Sequence, residues 1–187
     1  MSINPDGDKA LLIYHNQYKT IADLSEDELR LARLRINPKT NISSRTRFYI
    51  DLKLFDPKNK KEFEIEGLSA EPKISNIDWS PKYNYIAFTN TTSLGNELWL
   101  IDYKEKKASR LTSAIINGNM GTTLTWFPDE SGLLVKTLPE NRPKLIDTGF
   151  KIPVGLTVSV NEAGVEAQNR TLECLHLLRR IYIVRNL

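Results

Sequence analysis

Asp78-Trp-Ser-Pro-Lys-Tyr-Asn-Tyr-Ile-Ala-Phe88 has two near-copies elsewhere in the same 187-residue chain. They are Ile3-Asn-Pro-Asp-Gly-Asp-Lys-Ala-Leu-Leu-Ile-Tyr14 and Thr125-Trp-Phe-Pro-Asp-Glu-Ser-Gly-Leu-Leu-Val135. Each combines a strand-like entry, a proline that presets φ, and a polar or glycine residue that closes a tight turn. An apolar, β-rich run follows, so each copy reads as a hairpin. A unit that recurs says more about architecture than local propensity does, because each copy needs its neighbours to bury its faces.

The spacing sharpens this. Pro81 and Pro128 lie 47 residues apart. A second landmark, Leu52-Lys-Leu-Phe-Asp56-Pro-Lys-Asn-Lys-Lys, matches Leu98-Trp-Leu-Ile-Asp102-Tyr-Lys-Glu-Lys-Lys, with Asp56 and Asp102 46 residues apart. A period of this length fits one four-stranded propeller blade. The expected fold is all-β, a partial β-propeller of about three four-stranded blades: residues 3–67, 73–112 and, incomplete, 121–171. The middle blade is the most regular. Its strands are expected at Ile74–Ser80, Tyr85–Thr91, Glu97–Asp102 and Ala108–Thr112, with Gly95-Asn96 supplying one hairpin. Trp79, Ile86, Phe88, Leu98 and Leu100 have the period-two placement of a sheet packed between neighbours, and core packing accounts for them.

The first blade is interrupted. Pro5 to Asp56 is 51 residues, whereas Pro81 to Asp102 is 21, so about thirty extra residues separate its second and third strands. Part of this insertion, residues 21–38, is expected to be helical. Ser25 and Glu28 have capping-box spacing, and Leu24 with Leu29 suits a hydrophobic staple. Acidic residues precede Arg30, Arg33 and Arg35, in keeping with the helix dipole. The helix should stop near Asn37-Pro38. Leu29, Ala32 and Ile36 would form one apolar face, Leu31 and Leu34 another.

Composition excludes several functions. Net charge is +3, and residues 172–187 alone contribute +2, so the body carries no basic field suited to nucleic acid. Cys174 is the only cysteine, which rules out an intrachain disulfide and a cysteine-built metal site. No apolar run reaches signal-peptide or membrane-span length, so no membrane partner is expected and the location of the chain stays open.

Asp23-Leu-Ser-Glu-Asp-Glu-Leu-Arg-Leu-Ala-Arg-Leu-Arg-Ile36 followed by Asn41-Ile-Ser-Ser-Arg-Thr-Arg-Phe-Tyr49 resembles the propeller of the prolyl oligopeptidase family of serine peptidases. The glutamyl-endopeptidase-like branch is nearest, with a comparable helical insertion and a similar Arg-x-Arg strand entry. Pro143-Lys-Leu-Ile-Asp-Thr-Gly149 and Val165-Glu-Ala-Gln-Asn-Arg-Thr171 extend the resemblance, which covers roughly residues 3–171. It implies a propeller that caps an α/β-hydrolase domain bearing a Ser-Asp-His triad and admits peptides to it. The partners so implied are a peptide substrate and a covalently linked hydrolase domain, and the resemblance leaves export of intact relatives open. Against that pattern, the chain is expected to start inside the first blade with no strand before Pro5, to end after about three blades, and to lack the hydrolase domain. Open blade edges would then favour self-association and leave Trp79 and Trp126 partly exposed.

No catalytic residue, cofactor site or metal site is expected. A nucleophile elbow needs Gly-x-Ser-x-Gly, and Gly67-Leu-Ser-Ala-Glu71 lacks the second glycine. His15 and His176 have neither a surrounding motif nor metal-ligand spacing. Asn117-Gly-Asn-Met-Gly121 lacks the lysine and helix of a phosphate cradle. Lys58-Asn-Lys-Lys61 and Lys104-Glu-Lys-Lys107 read as solvated hairpin tips. The pair that invites a role is Arg45 and Arg47. Two residues apart on a strand, they would share a face and grip a carboxylate, either of substrate or of another domain. The plainer alternative is a structural salt bridge to the acidic start of the helix.

Leu172 to Leu187 abandons the blade pattern for a basic, apolar run. It reads either as an amphipathic helix or as out-of-frame sequence, and in the second case adds nothing to stability. The function expected is that of a non-catalytic N-terminal propeller portion of a serine peptidase. The alternatives are a free-standing protein- or peptide-binding module and a truncated product without function.

Overall fold

The computed structural model describes residues 1–31, 34–119, 121–139 and 180–185. Along the chain run β1 (Ser2–Ile3), β2 (Ala10–His15), α1 (Ile21–Leu24), β3 (Leu29–Leu31), β4 (Leu34–Ile36), β5 (Tyr49–Asp56) and β6 (Lys61–Glu64). They are followed by β7 (Ile74–Trp79), β8 (Tyr85–Thr92), β9 (Gly95–Asp102), β10 (Lys107–Arg110), β11 (Leu124–Trp126), β12 (Gly132–Thr137) and β13 (Arg180–Arg185).

The repeated proline turns share one geometry. In each, the residue before the proline accepts a hydrogen bond from the amide three residues on and donates to the carbonyl five residues on. The bonds are Gly7 to Asn4 and Asn4 to Lys9, Tyr83 to Ser80 and Ser80 to Tyr85, Glu130 to Phe127 and Phe127 to Gly132. The fourth residue is left-handed every time, with φ of 68° at Gly7, 59° at Tyr83 and 65° at Glu130. Such a turn joins antiparallel strands and adds twist. The second landmark repeats as faithfully. Asp56 Oδ1 accepts from the amides of Lys58 and Asn59, and Asp102 Oδ1 from those of Lys104 and Glu105. Lys58 and Lys104 are exposed at these tips.

Antiparallel meanders result. β1-β2-β5-β6 forms the first and β7-β8-β9-β10 the second, while β11, β12 and β13 make a third sheet. The first two join through the pairing of Tyr49 with Ile74 and a parallel bridge between Glu66 and Lys107. Leu11, Leu52, Leu54, Ile74, Ile86, Phe88 and Ile101 pack between the first and second meanders. Leu98, Leu100, Ile116, Leu124, Trp126 and Leu133 pack between the second and the third. The middle sheet is therefore covered on both faces, as a blade between neighbours must be. Each fully buried aliphatic side chain here contributes about 1.5–3 kcal/mol.

The structure departs from the sequence reading at several places. A strand precedes Pro5: Ser2 and Ile3 pair with Leu11 and Ala10. The hairpin placed at Gly95-Asn96 turns instead at Ser93 and Leu94, since Thr92 already pairs with Gly95. Trp126 is buried at 8% exposure, whereas Trp79 is half-buried and donates to Ser2 Oγ at 3.0 Å. The helix of the insertion is one turn long. Thr20 caps it, accepting from the Asp23 amide while the Asp23 carboxylate reaches back to Thr20. Ser25 ends that helix rather than starting one. Beyond it, β3 and β4 form a hairpin pairing Leu29 with Ile36, Arg30 with Arg35 and Leu31 with Leu34. In the tail, Arg180–Arg185 pairs along the whole of β12 as a strand, not a helix. The third-blade segment 140–171 lies outside the described residues.

Candidate cleft beneath the insertion

Residues 16–48 leave the first sheet at His15 and return at Tyr49, themselves cross-strand partners. The returning chain, α1 and the β3–β4 hairpin enclose a cleft of about 1070 Å³ against the segment 70–73 that leads into β7. A smaller cavity of about 460 Å³ adjoins it and shares Lys19, Asp23, Ser44 and Lys73.

Arg45 and Arg47 both line the larger cleft. They are exposed, and they sit in the turn and extended chain before β5 rather than on a strand. The salt bridge considered for them does not form: among the described residues neither has an ion-pair partner. Other cations pair with two of the acidic groups nearby, Glu28 and Asp23. Glu28 Oε1 accepts from Arg30 Nε at 2.8 Å and Arg35 Nη1 at 2.9 Å, offsetting the opposition of those two arginines across the hairpin. Its other oxygen accepts from the Ser44 hydroxyl. The Ser44 hydroxyl, with Arg30 second, holds the Glu28 carboxyl below its ordinary range. Lys73 Nζ meets Asp23 at 2.7 Å and, together with Thr20, lowers the Asp23 carboxyl in the same way. Lys19 Nζ donates to the Ser44 carbonyl at 2.6 Å. Two guanidinium groups thus line an open cleft in which Asp23 and Glu28 are already engaged by Lys73, Arg30, Arg35 and Ser44. Such a pair suits an incoming carboxylate.

Sequence reasoning missed Lys19, Asp23 and Lys73. The Thr20-x-x-Asp23 spacing signals the cap, but nothing local reveals that Lys73, fifty residues away, reaches it. It also missed the role of Asn117 and Asn119, which are buried and bonded to the insertion through Asn41. His15 is exposed at the end of β2, its Nδ1 3.0 Å from the Asn16 carbonyl and its ring edge-on to Tyr49. His176 and Cys174 lie outside the described residues, and no metal-binding cluster occurs among the described ones.

These features define an all-β protein of propeller type with a cationic cleft beneath one long insertion. By sequence it aligns over 94% of its length with the probable chloroplastic glutamyl endopeptidase of Arabidopsis thaliana, at 29% identity over 186 residues. It aligns equally far with the rice protein of the same name, at 27% identity. The sequence similarity is thus to proteins named as glutamyl endopeptidases, the branch that the insertion and its Arg-x-Arg entry resemble. The chain spans about a fifth of the length of these relatives, 19% and 20% respectively. No family model matches. Among solved structures, a putative dipeptidyl aminopeptidase IV from Bacteroides ovatus superposes on 73% of this chain and 20% of its own, with TM-score 0.41 and 10% identity.

Proposed function

We propose that this chain acts as the propeller portion of a serine-peptidase-type protein, controlling which peptides reach a hydrolase domain and performing no hydrolysis itself. The observation that carries the reading is the alignment of nearly the whole chain with peptidases about five times its length. Among the described residues, the His15 ring lies 3.0 Å from the Asn16 carbonyl through Nδ1 and sits edge-on to Tyr49. The cleft beneath the insertion is the contact surface. Arg45 and Arg47 meet carboxylates there, in keeping with the glutamyl preference that the relatives' name states.

Two measurements on the purified chain test this. A serine-reactive fluorophosphonate should label it no faster than it labels denatured protein; active-site labelling would overturn the non-catalytic reading. Peptides carrying glutamate should bind more tightly than their glutamine counterparts, and Arg45→Gln with Arg47→Gln should abolish the difference. Equal binding of the two peptide series by the native chain would remove the carboxylate role.

A further inference from the structure

The far end of the insertion is fastened to the segment that leads from the second sheet to the third. Asn41 is 1% exposed and left-handed, with φ of 55°. Its Nδ2 donates to Asn117 Oδ1 at 2.9 Å, and its carbonyl accepts from Asn119 Nδ2 at 2.6 Å. The next residue, Ile42, pairs with Gly118 in an isolated parallel bridge. The approach is tight, so a side chain at 118 would fit only if its neighbours gave way by a few tenths of an ångström. An added Cβ would lie 3.0 Å from both Ile42 Cγ1 and Asn96 Nδ2. The receiving segment is anchored in turn, because the Asn117 amide donates to the Lys136 carbonyl and Lys136 Nζ donates to the Asn119 carbonyl.

This fastening is incompletely bonded. Thr40 Oγ1, Asn41 Oδ1, Asn96 Nδ2 and Thr137 Oγ1 are buried and find no protein partner among the described residues. All four adjoin it: Thr40 and Asn41 belong to it, Asn96 abuts Gly118, and Thr137 pairs with Ile116. Buried polar groups left in this state favour separation, because water would satisfy them.

We infer that the Asn41–Ile42 contact with Asn117–Asn119 is a releasable clasp, and that its opening lets the insertion swing about His15 and Tyr49 to widen the cleft beneath. The inference deepens the peptide-access reading above, since it names what sets the width of the entrance. Two points fix the moving part. Its roots are adjacent strands of one sheet, and its tip is held by the clasp across the rim of the second sheet. α1 lies between them, tied by the Asp23–Lys73 pair.

Hydrogen exchange on the full chain tests the clasp without any peptide. Asn41→Gly keeps the left-handed backbone and removes only the side chain. Losing that hydrogen bond and stranding its partner should speed exchange in residues 29–43 by about tenfold or more, with β8 and β9 unchanged. The companion variant Ile42→Cys/Gly118→Cys, made with Cys174→Ser, places the two Cβ atoms near the separation a disulfide needs, since the Gly118 position lies 3.4 Å from Ile42 Cβ. Oxidation should slow exchange in the same residues, and reduction should reverse it. Unchanged exchange in Asn41→Gly, or acceleration spread evenly over β7 to β10, would overturn the clasp. So would failure of the cysteine pair to oxidise in the folded chain. Weak peptide binding by every variant would count against the access reading instead and would leave the exchange result standing.

Discussion

Glu130 shows how one side chain serves two sheets. It sits at the left-handed position of the third proline turn and is nearly buried. Its carboxylate accepts from the Lys82 amide at 2.7 Å and from Asn84 Nδ2 at 3.0 Å, both in the second proline turn. Burial pushes its carboxyl up, but bonds from Ser80, Asn84 and Lys82 outweigh burial and hold it below its ordinary value. A carboxyl lowered in the folded state adds stability that is fully present above its unfolded value, near pH 4.3, and is lost as pH falls through the folded value. Glu130→Gln should therefore cost about 1–2 kcal/mol at pH 7 and nearly nothing at the lowest pH where the fold persists. Urea unfolding at a series of pH values measures the difference, and a pH-independent gap would place the effect in packing instead. Asp23 follows the same sign through Lys73 and Thr20. Being partly exposed, its pair with Lys73 is worth about 1 kcal/mol or less. Asp23→Asn should leave the melting temperature almost unchanged while raising exchange within α1.

Among the elements, β13 gives the sharpest expectation. Its six residues pair with all six of β12. Ending the chain at Thr171 would leave β12 with one row of free amides and carbonyls, a template for association. The shortened chain should show a lower urea midpoint and more light scattering than the full one. Equal midpoints would show that the strand adds nothing, as out-of-frame sequence would. The hairpins were legible in the sequence because their geometry is local: proline sets the first turn torsion, and the polar or glycine residues after it close the turn. The insertion was legible in length and place but not in form. Leu29-Arg-Leu-Ala-Arg-Leu-Arg-Ile36 satisfies a helical stripe and also places Leu29, Leu31, Leu34 and Ile36 at paired strand positions. A helix of that length is marginal alone. Glu28 favours the hairpin by engaging Arg30, Arg35 and Ser44 together, contacts that no local pattern shows. Arg45 and Arg47 could be picked out from their spacing, but their freedom from salt bridges depends on which carboxylates other residues claim first.

At the scale of the whole molecule, the insertion carries some of the most exposed large apolar side chains among the described residues. Tyr18, Ile21 and Leu24 are 78%, 86% and 70% exposed, close together around α1. This patch and the free sheet edges should make the isolated chain bind hydrophobic dyes and self-associate, in keeping with the expectation from open edges. Ile21→Glu with Leu24→Glu should lower dye binding several-fold while moving stability by no more than about 0.5 kcal/mol, as surface changes do. Dye fluorescence beside thermal melting separates the two contributions. Unaltered fluorescence would assign the stickiness to the edges.

The pairing of His15 with Tyr49 carries a consequence for how such a protein diversifies. The thirty-three residues between them occupy a position that a two-residue turn could fill, because both ends already sit one strand spacing apart. The insertion is in effect a cartridge, whose exchange for another leaves the register of β2 and β5 untouched. The contact at Asn41 ties it to the distant segment 117–119. A transplant would thus need two grafts made together, the cartridge and its three-residue socket, and one without the other should yield a sound sheet with a mismatched rim.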